Sequence, residues 1–272
     1  MKKVIIIVFS IFFFACEEGI ILDVNQVESK VVIEGLITNR PGQQYIKIGK
    51  TADFYSSGTN PAVSSAQVSV SDDLGNTYTF SESTEKPGLY LPSAAFTGQV
   101  GRIYNLDIDI DGEKYTASEE LLGVANIDSL TYGLNEEEFS DPEDEGRFYN
   151  VFVYTKEPQD EDNFYLFKFY RNEEWLNDNG EDITVTDDVA IGEAIEGLEL
   201  PEYHSVGDSV SMEMYSLTQK EFIYWSDVAN LIFSDGGVFS PLPANPRSNI
   251  SGGALGIFQV SAVSSSYVLI EE

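Results

Sequence analysis

Apolar and polar positions alternate in short runs along most of this chain, and a period of two predicts strands joined by turns. The stretch 31–38 is rich in β-branched residues and closes on Asn39-Arg40-Pro41-Gly42, a turn signal. A strand over 45–48 follows, and 54–65 reads as a loop rich in Ser, Gly, Asn and Pro. Residues 68–71 alternate, Asp73-Leu74-Gly75-Asn76 turns, 77–80 alternates again, and 88–90 is one more short strand. In 103–110, Tyr104, Leu106, Ile108 and Ile110 alternate with Asn105, Asp107 and Asp109, Ile103 being the exception. Asp111-Gly112 is a hairpin dipeptide, and 114–118 returns. Strands at this spacing predict an all-β N-terminal region, an immunoglobulin-like or prealbumin-like β-sandwich over 31–122.

The pattern predicts a second β-rich domain over 123–272, with strands at 127–132, 148–154, 164–170, 183–185 and 209–216. One α-helix near 218–233 interrupts them. Thr218 and Glu221 have the spacing of a capping box, and Phe222, Trp225, Ala229 and Ile232 repeat at helical period. That stripe should pack on a sheet, and Asp235-Gly236-Gly237 should end the helix. Two strands, 256–260 and 267–270, close the chain and should complete a sheet.

The N-terminus changes the picture. Lys2 and Lys3 precede the apolar run 4–14, and Ala15 stands before Cys16, the one cysteine of the chain. A basic start, a short apolar run and a small residue make a secretory signal, here over 1–15. The run is shorter than the roughly 20 residues a membrane span needs. A cysteine directly after the small residue predicts lipidation at Cys16, with 16–30 as a tether. Multiple acyl chains would then hold the protein on a membrane.

Charge narrows the classes further. The chain carries 15 Lys+Arg against 46 Asp+Glu, a formal charge of −31; loss of Lys2 and Lys3 with the signal makes it −33. Such a balance excludes nucleic-acid binding, which needs clustered cations. A lipidated Cys16 leaves no thiol for a disulfide, thiol catalysis or a cysteine–zinc site.

Catalytic patterns are sparse. His204 is the one histidine, no G-x-S-x-G motif occurs, and a surface or strand-entry role is the better reading. Paired acids for a hydrolase cannot be singled out among so many carboxylates. The run 107–112 starts like an EF-hand loop, but its twelfth position is Ser118 where a bidentate glutamate is required. No cofactor is therefore predicted, calcium in the acidic loops 141–145 or 158–162 remaining an open alternative. Trp175 stands out in the polar stretch 172–177 and is a candidate contact residue. The stretch 234–253, about 20 residues without periodicity, exceeds the usual connection length. It supplies the candidates Asp235, Phe239, Asn245 and Asn249, with a structural crossover as the competing reading.

Several segments together resemble a known family. They are 32–39 (Val-Ile-Glu-Gly-Leu-Ile-Thr-Asn), 50–54 (Lys-Thr-Ala-Asp-Phe), 66–72, Pro87-Gly88-Leu89-Tyr90, Gly101-Arg102-Ile103-Tyr104, 243–246, Asn249-Ile250 and 253–258. They resemble the Bacteroidota lipoprotein family catalogued as domain of unknown function 4249. The region 66–90 also resembles non-catalytic carboxypeptidase-regulatory-like sandwich modules. The resemblance implies an outer-membrane lipoprotein and names no catalytic residue. It further implies an accessory role beside a TonB-dependent receptor in nutrient uptake. The expectation is thus a lipid-anchored binding or accessory protein, not an enzyme, with the membrane face left open. The alternatives are a stand-alone carbohydrate- or calcium-binding lipoprotein and an acid-pair hydrolase.

Overall fold

The computed structural model describes residues 29–52, 60–135, 149–158, 162–177, 183–233 and 244–271. Of these, 53% are strand and 9% helix, so the all-β class holds. Seven strands come from the N-terminal half: β1 (Val31–Thr38), β2 (Tyr45–Lys50), β3 (Gln67–Asp72), β4 (Thr77–Glu82), β5 (Leu89–Pro92), β6 (Ile103–Ile110) and β7 (Glu113–Glu120). Then come β8 (Ile127–Leu134), β9 (Tyr149–Lys156), β10 (Phe164–Arg171), β11 (Glu174–Trp175) and β12 (Thr184–Asp187). A single helical turn, α1 (Asp188–Ile191), precedes β13 (Ala194–Glu199) and β14 (Ser209–Leu217). The chain ends with α2 (Gln219–Ile232), β15 (Leu255–Ser261) and β16 (Val263–Leu269).

The N-terminal strands do not split into the two sheets of the expected sandwich. They form one eight-stranded sheet in the order β15-β1-β2-β5-β4-β3-β6-β7, curled until it is nearly closed. β5 keeps the sheet continuous by pairing with both β2 and β4, and β15 extends it, running parallel to β1 from Val32 opposite Leu255 to Thr38 opposite Ser261. The other side of β15 reaches toward β7 through the Leu122–Ser261 bridge and the Ser251 N–H bond to Thr116 O. The near-closure leaves little sheet edge exposed. Gly256 makes the β1–β15 approach possible: at φ 101°, an added Cβ would lie 2.0 Å from Ile33 O. Alternate residues Ile33, Ile37, Ile46, Ile48, Val70, Leu106, Ile108 and Phe258 fill the interior.

The second unit has two layers. Strands β11-β10-β14-β16 form one sheet, with β12 also on β10, and β13-β9-β8 form the other. One face of the larger sheet, with Tyr165, Phe167, Val210, Met212 and Met214, packs on Val151, Val153 and Ile195 of the smaller. The opposite face turns toward the outside of the barrel-like unit. At one end it packs with α2, through Leu166, Tyr215, Leu217, Val263, Phe222 and Trp225. The two closing strands do complete sheets, one in each unit.

The capping box of α2 is present, but its glutamate does more than cap. Glu221 is fully buried, and its carboxylate accepts from Thr218 N–H and from Val260 N–H of β15, both at 2.7 Å. The helix start is thereby fastened to the barrel-like unit. His204 is a correction to the surface alternative: it is fully buried, with its backbone paired to Tyr149. The EF-hand-like run is the β6–β7 hairpin, where Gly112 N–H donates to Asp109 Oδ1.

Candidate functional site

Strand pairing organises the outward face of the five-stranded sheet into rows. Residues directly opposite in antiparallel strands share a face, so the register alone places them. One row is Val185, Leu166, Tyr215 and Val263. Two residues along, the row is Lys168, Glu213 and Ser265. Two further along, it is Trp175, Tyr170, Ser211 and Tyr267. The first row is covered by α2 and the barrel-like unit. The last is open: Trp175 is 44% exposed and Tyr267 74%.

Between the middle row and the barrel-like unit lies a pocket of about 470 Å³. Leu36, Tyr45, Leu89 and Leu91 form one wall, and Tyr170, Glu213 and Tyr215 the other. The β1–β2 turn docks beside it. Asn39 Oδ1 accepts from Val263 N–H at 2.8 Å, and the Arg40 guanidinium donates to Ser265 Oγ at 2.7 Å. The turn residues 39–42 thus hold the two units in register around the pocket.

Glu213 is the polar hub. The hydroxyls of Tyr170 and Tyr215 both donate to its Oε2, at 2.9 and 2.7 Å. Burial, then the Glu213 charge, pushes both phenols well above their ordinary range. On the barrel-like wall Tyr45 donates to Glu34 of the neighbouring strand, and burial raises it likewise. These hydroxyls are donors at any physiological pH. The Lys168 ammonium lies 5.2 Å from the Trp175 ring centroid and 4.8 Å from that of Tyr215. Burial lowers its pKa, and Glu213 and Glu34 oppose that. The site combines flat rings, fixed hydroxyl donors and one carboxylate with a shielded cation.

The candidates from sequence fall in different places. Trp175 belongs to this site. The type I′-like turn at Asn172 and Glu173, both at positive φ, returns the chain so that Trp175 faces Tyr170. Asn172 is itself fixed by Ser209 and Asp208. Asn249 serves the crossover reading: its side chain donates to Phe258 O and Glu119 Oε1 and accepts from Phe258 N–H. Asn245 is exposed and does not line the pocket. Cys16, Asp235 and Phe239 lie outside the described residues, as do the loop 141–145 and most of 158–162.

A second acidic place is the buried Glu119, next to Glu221. Its carboxylate accepts from Thr218 Oγ1, Lys220 Nζ and Asn249 Nδ2 at 2.9–3.2 Å. Those donors occupy it, and Glu221 is sealed from solvent, so this pair is a joint between units. Among the described residues no group of three or more His, Cys, Asp or Glu is placed to hold a metal ion.

Sequence reasoning missed Tyr45, Lys168, Tyr170, Glu213 and Tyr215. A signal was there: Lys168 follows four apolar or aromatic residues of β10, Glu213 stands between Met212 and Met214 of β14, and the two are opposite each other.

Fold and site together define an all-β protein with a barrel-like unit, a two-layered unit and an aromatic cleft between them. The chain belongs to the family described as Domain of unknown function (DUF4249), which matches residues 17–266. No curated protein matches the chain.

Proposed function

We propose that the protein is a lipid-anchored binding protein of the outer membrane, held by Cys16 and acting beside a TonB-dependent receptor, without a catalytic role. The observation that carries the binding reading is the open row Trp175, Tyr170, Ser211 and Tyr267, continuous with the Glu213 pocket. Pockets with apolar walls and a few placed polar groups are the common form of ligand sites. Anchoring is supported by Lys2-Lys3, the apolar run 4–14 and Ala15-Cys16. The receptor is the partner that the family resemblance implies. The immunoglobulin- or prealbumin-type relationship of the first unit belongs to this reading. Opposite walls of its curled sheet, Ile33 and Ile48 against Val70 and Leu106, share one core in the manner of a sandwich.

The test is a crosslinked pull-down of tagged, lipidated protein from native outer membranes, with co-purifying proteins identified by mass. A β-barrel receptor in near-stoichiometric yield is expected. Recovery of the chain alone refutes the accessory role. Separately, Cys16→Ser should move the protein to the soluble fraction, and a variant that stays with the membrane refutes the anchor.

A further inference from the structure

We infer that the open end of the five-stranded sheet binds a neutral glycan, laid across Trp175, Tyr170 and Tyr267 with its hydroxyls toward Glu213 and the serines. The inference names the ligand class of the site proposed above and rests on that site being a binding site.

Geometry comes first. Trp175, Tyr170, Ser211 and Tyr267 come from four neighbouring strands, so the row spans three strand spacings, about 14 Å. That is a length for a chain of several rings. The rings of Trp175 and Tyr267 at the two ends are exposed, and Tyr170 lies half-buried between them. Aromatic faces carry partial negative charge and attract the weakly positive C–H face of a sugar ring.

The polar groups fit the edges of the same ligand. Ser211 stands within the row, and Ser265 and Glu213 stand in the row beside it. Glu213 Oε2 is held by two tyrosine hydroxyls, which fixes the carboxylate as an acceptor for ligand hydroxyls. A carboxylate beside aromatic rings suits a ligand rich in hydroxyl donors.

Charge weighs against an anionic ligand, for the Arg40 guanidinium beside the pocket is taken up by Ser265 Oγ and Val263 O. Lys168 is covered by the Trp175 and Tyr215 rings and flanked by Glu213 and Glu34. It offers no open cation to a phosphate or carboxylate ligand, and the chain's formal charge of −31 repels anions. A protein partner gripping by apolar contact would find Ser211 between the rings, and the leucines only in the recessed pocket beside them.

The test uses the detergent-solubilised, full-length lipidated protein. The probes are cellohexaose, xylohexaose, maltohexaose and mannohexaose, with polygalacturonate as an anionic comparison. Binding is read by calorimetry and by tryptophan emission. Only Trp175 and Trp225 emit, and Trp225 is tied to Gln259 beneath α2. At least one neutral hexasaccharide should bind and shift the emission. Trp175→Ala with Tyr267→Ala should weaken it by about tenfold or more. The double variant should melt with the wild type, because both side chains are exposed. Failure of every neutral probe, binding of the anionic probe alone, or an affinity in the double variant within about threefold of wild type overturns the glycan assignment. None of those results touches receptor recovery in the pull-down, so the two readings fail separately.

Discussion

The two ends of one sheet face give the clearest lesson of this fold. At one end, Val185, Leu166, Tyr215 and Val263 lie under α2 and the wall of β15. At the other, about 14 Å along the strands, Trp175, Tyr170, Ser211 and Tyr267 meet no cover. Both rows have the same alternation and share β10, β14 and β16, with β12 beside β10 in the first and β11 in the last. What separates them is the partner, since α2 packs on the first row, whereas in the last only Tyr170 faces the barrel-like unit, across the pocket. Side chains at the closed end contribute stability, and those at the open end stay exposed, as the surface proposed above for a ligand.

Breaking the closed end should give the largest effects. Glu221→Ala removes the cap of α2 and leaves two buried N–H donors unpaired, Thr218 and Val260, and should cost about 4 kcal/mol by denaturant melting. The same residue sets a pH dependence. Burial raises its carboxyl well above the ordinary glutamate range, so the folded protein keeps a proton that the unfolded chain releases. The associated stability is present below that ordinary range and is lost as pH rises through the raised value. Melts across this window should slope downward in the wild type and flatten in Glu221→Ala.

Leu217→Ala, at a position 1% exposed, should cost about 3 kcal/mol. Glu173→Gly should stabilise by about 0.5–1 kcal/mol, because it relieves a positive φ of 69° in the turn that presents Trp175. Trp175→Ala with Tyr267→Ala should change stability least, by about 0.5 kcal/mol or less. A double variant as costly as Leu217→Ala would erase the distinction between the two ends.

Much of this was legible in the sequence. The β-branched run before a turn signal placed β1, and alternation placed β6, at their observed bounds, and Thr218 with Glu221 announced α2. The strand β13 was missed because Gly197, at φ 78°, shifts its register between Glu196 and Leu198 and breaks the period. The pairing of β15 with β1 joins segments more than two hundred residues apart, which no local pattern encodes. One curled sheet stands where the strand spacing predicted two because β5 pairs with both β2 and β4 and so joins the halves. The site was half legible. Trp175 stood out by its polar setting. Tyr170, Glu213 and Tyr215 did not, because only register brings them together.

The most direct test places a photocrosslinking residue at 175 or at 225 in the otherwise native protein, with irradiation in intact cells. The position 175 derivative should form an adduct with an external ligand or partner, while the position 225 derivative should react only within the chain. Equal capture at both positions, or none at 175, would contradict the assignment of the open end as the binding surface.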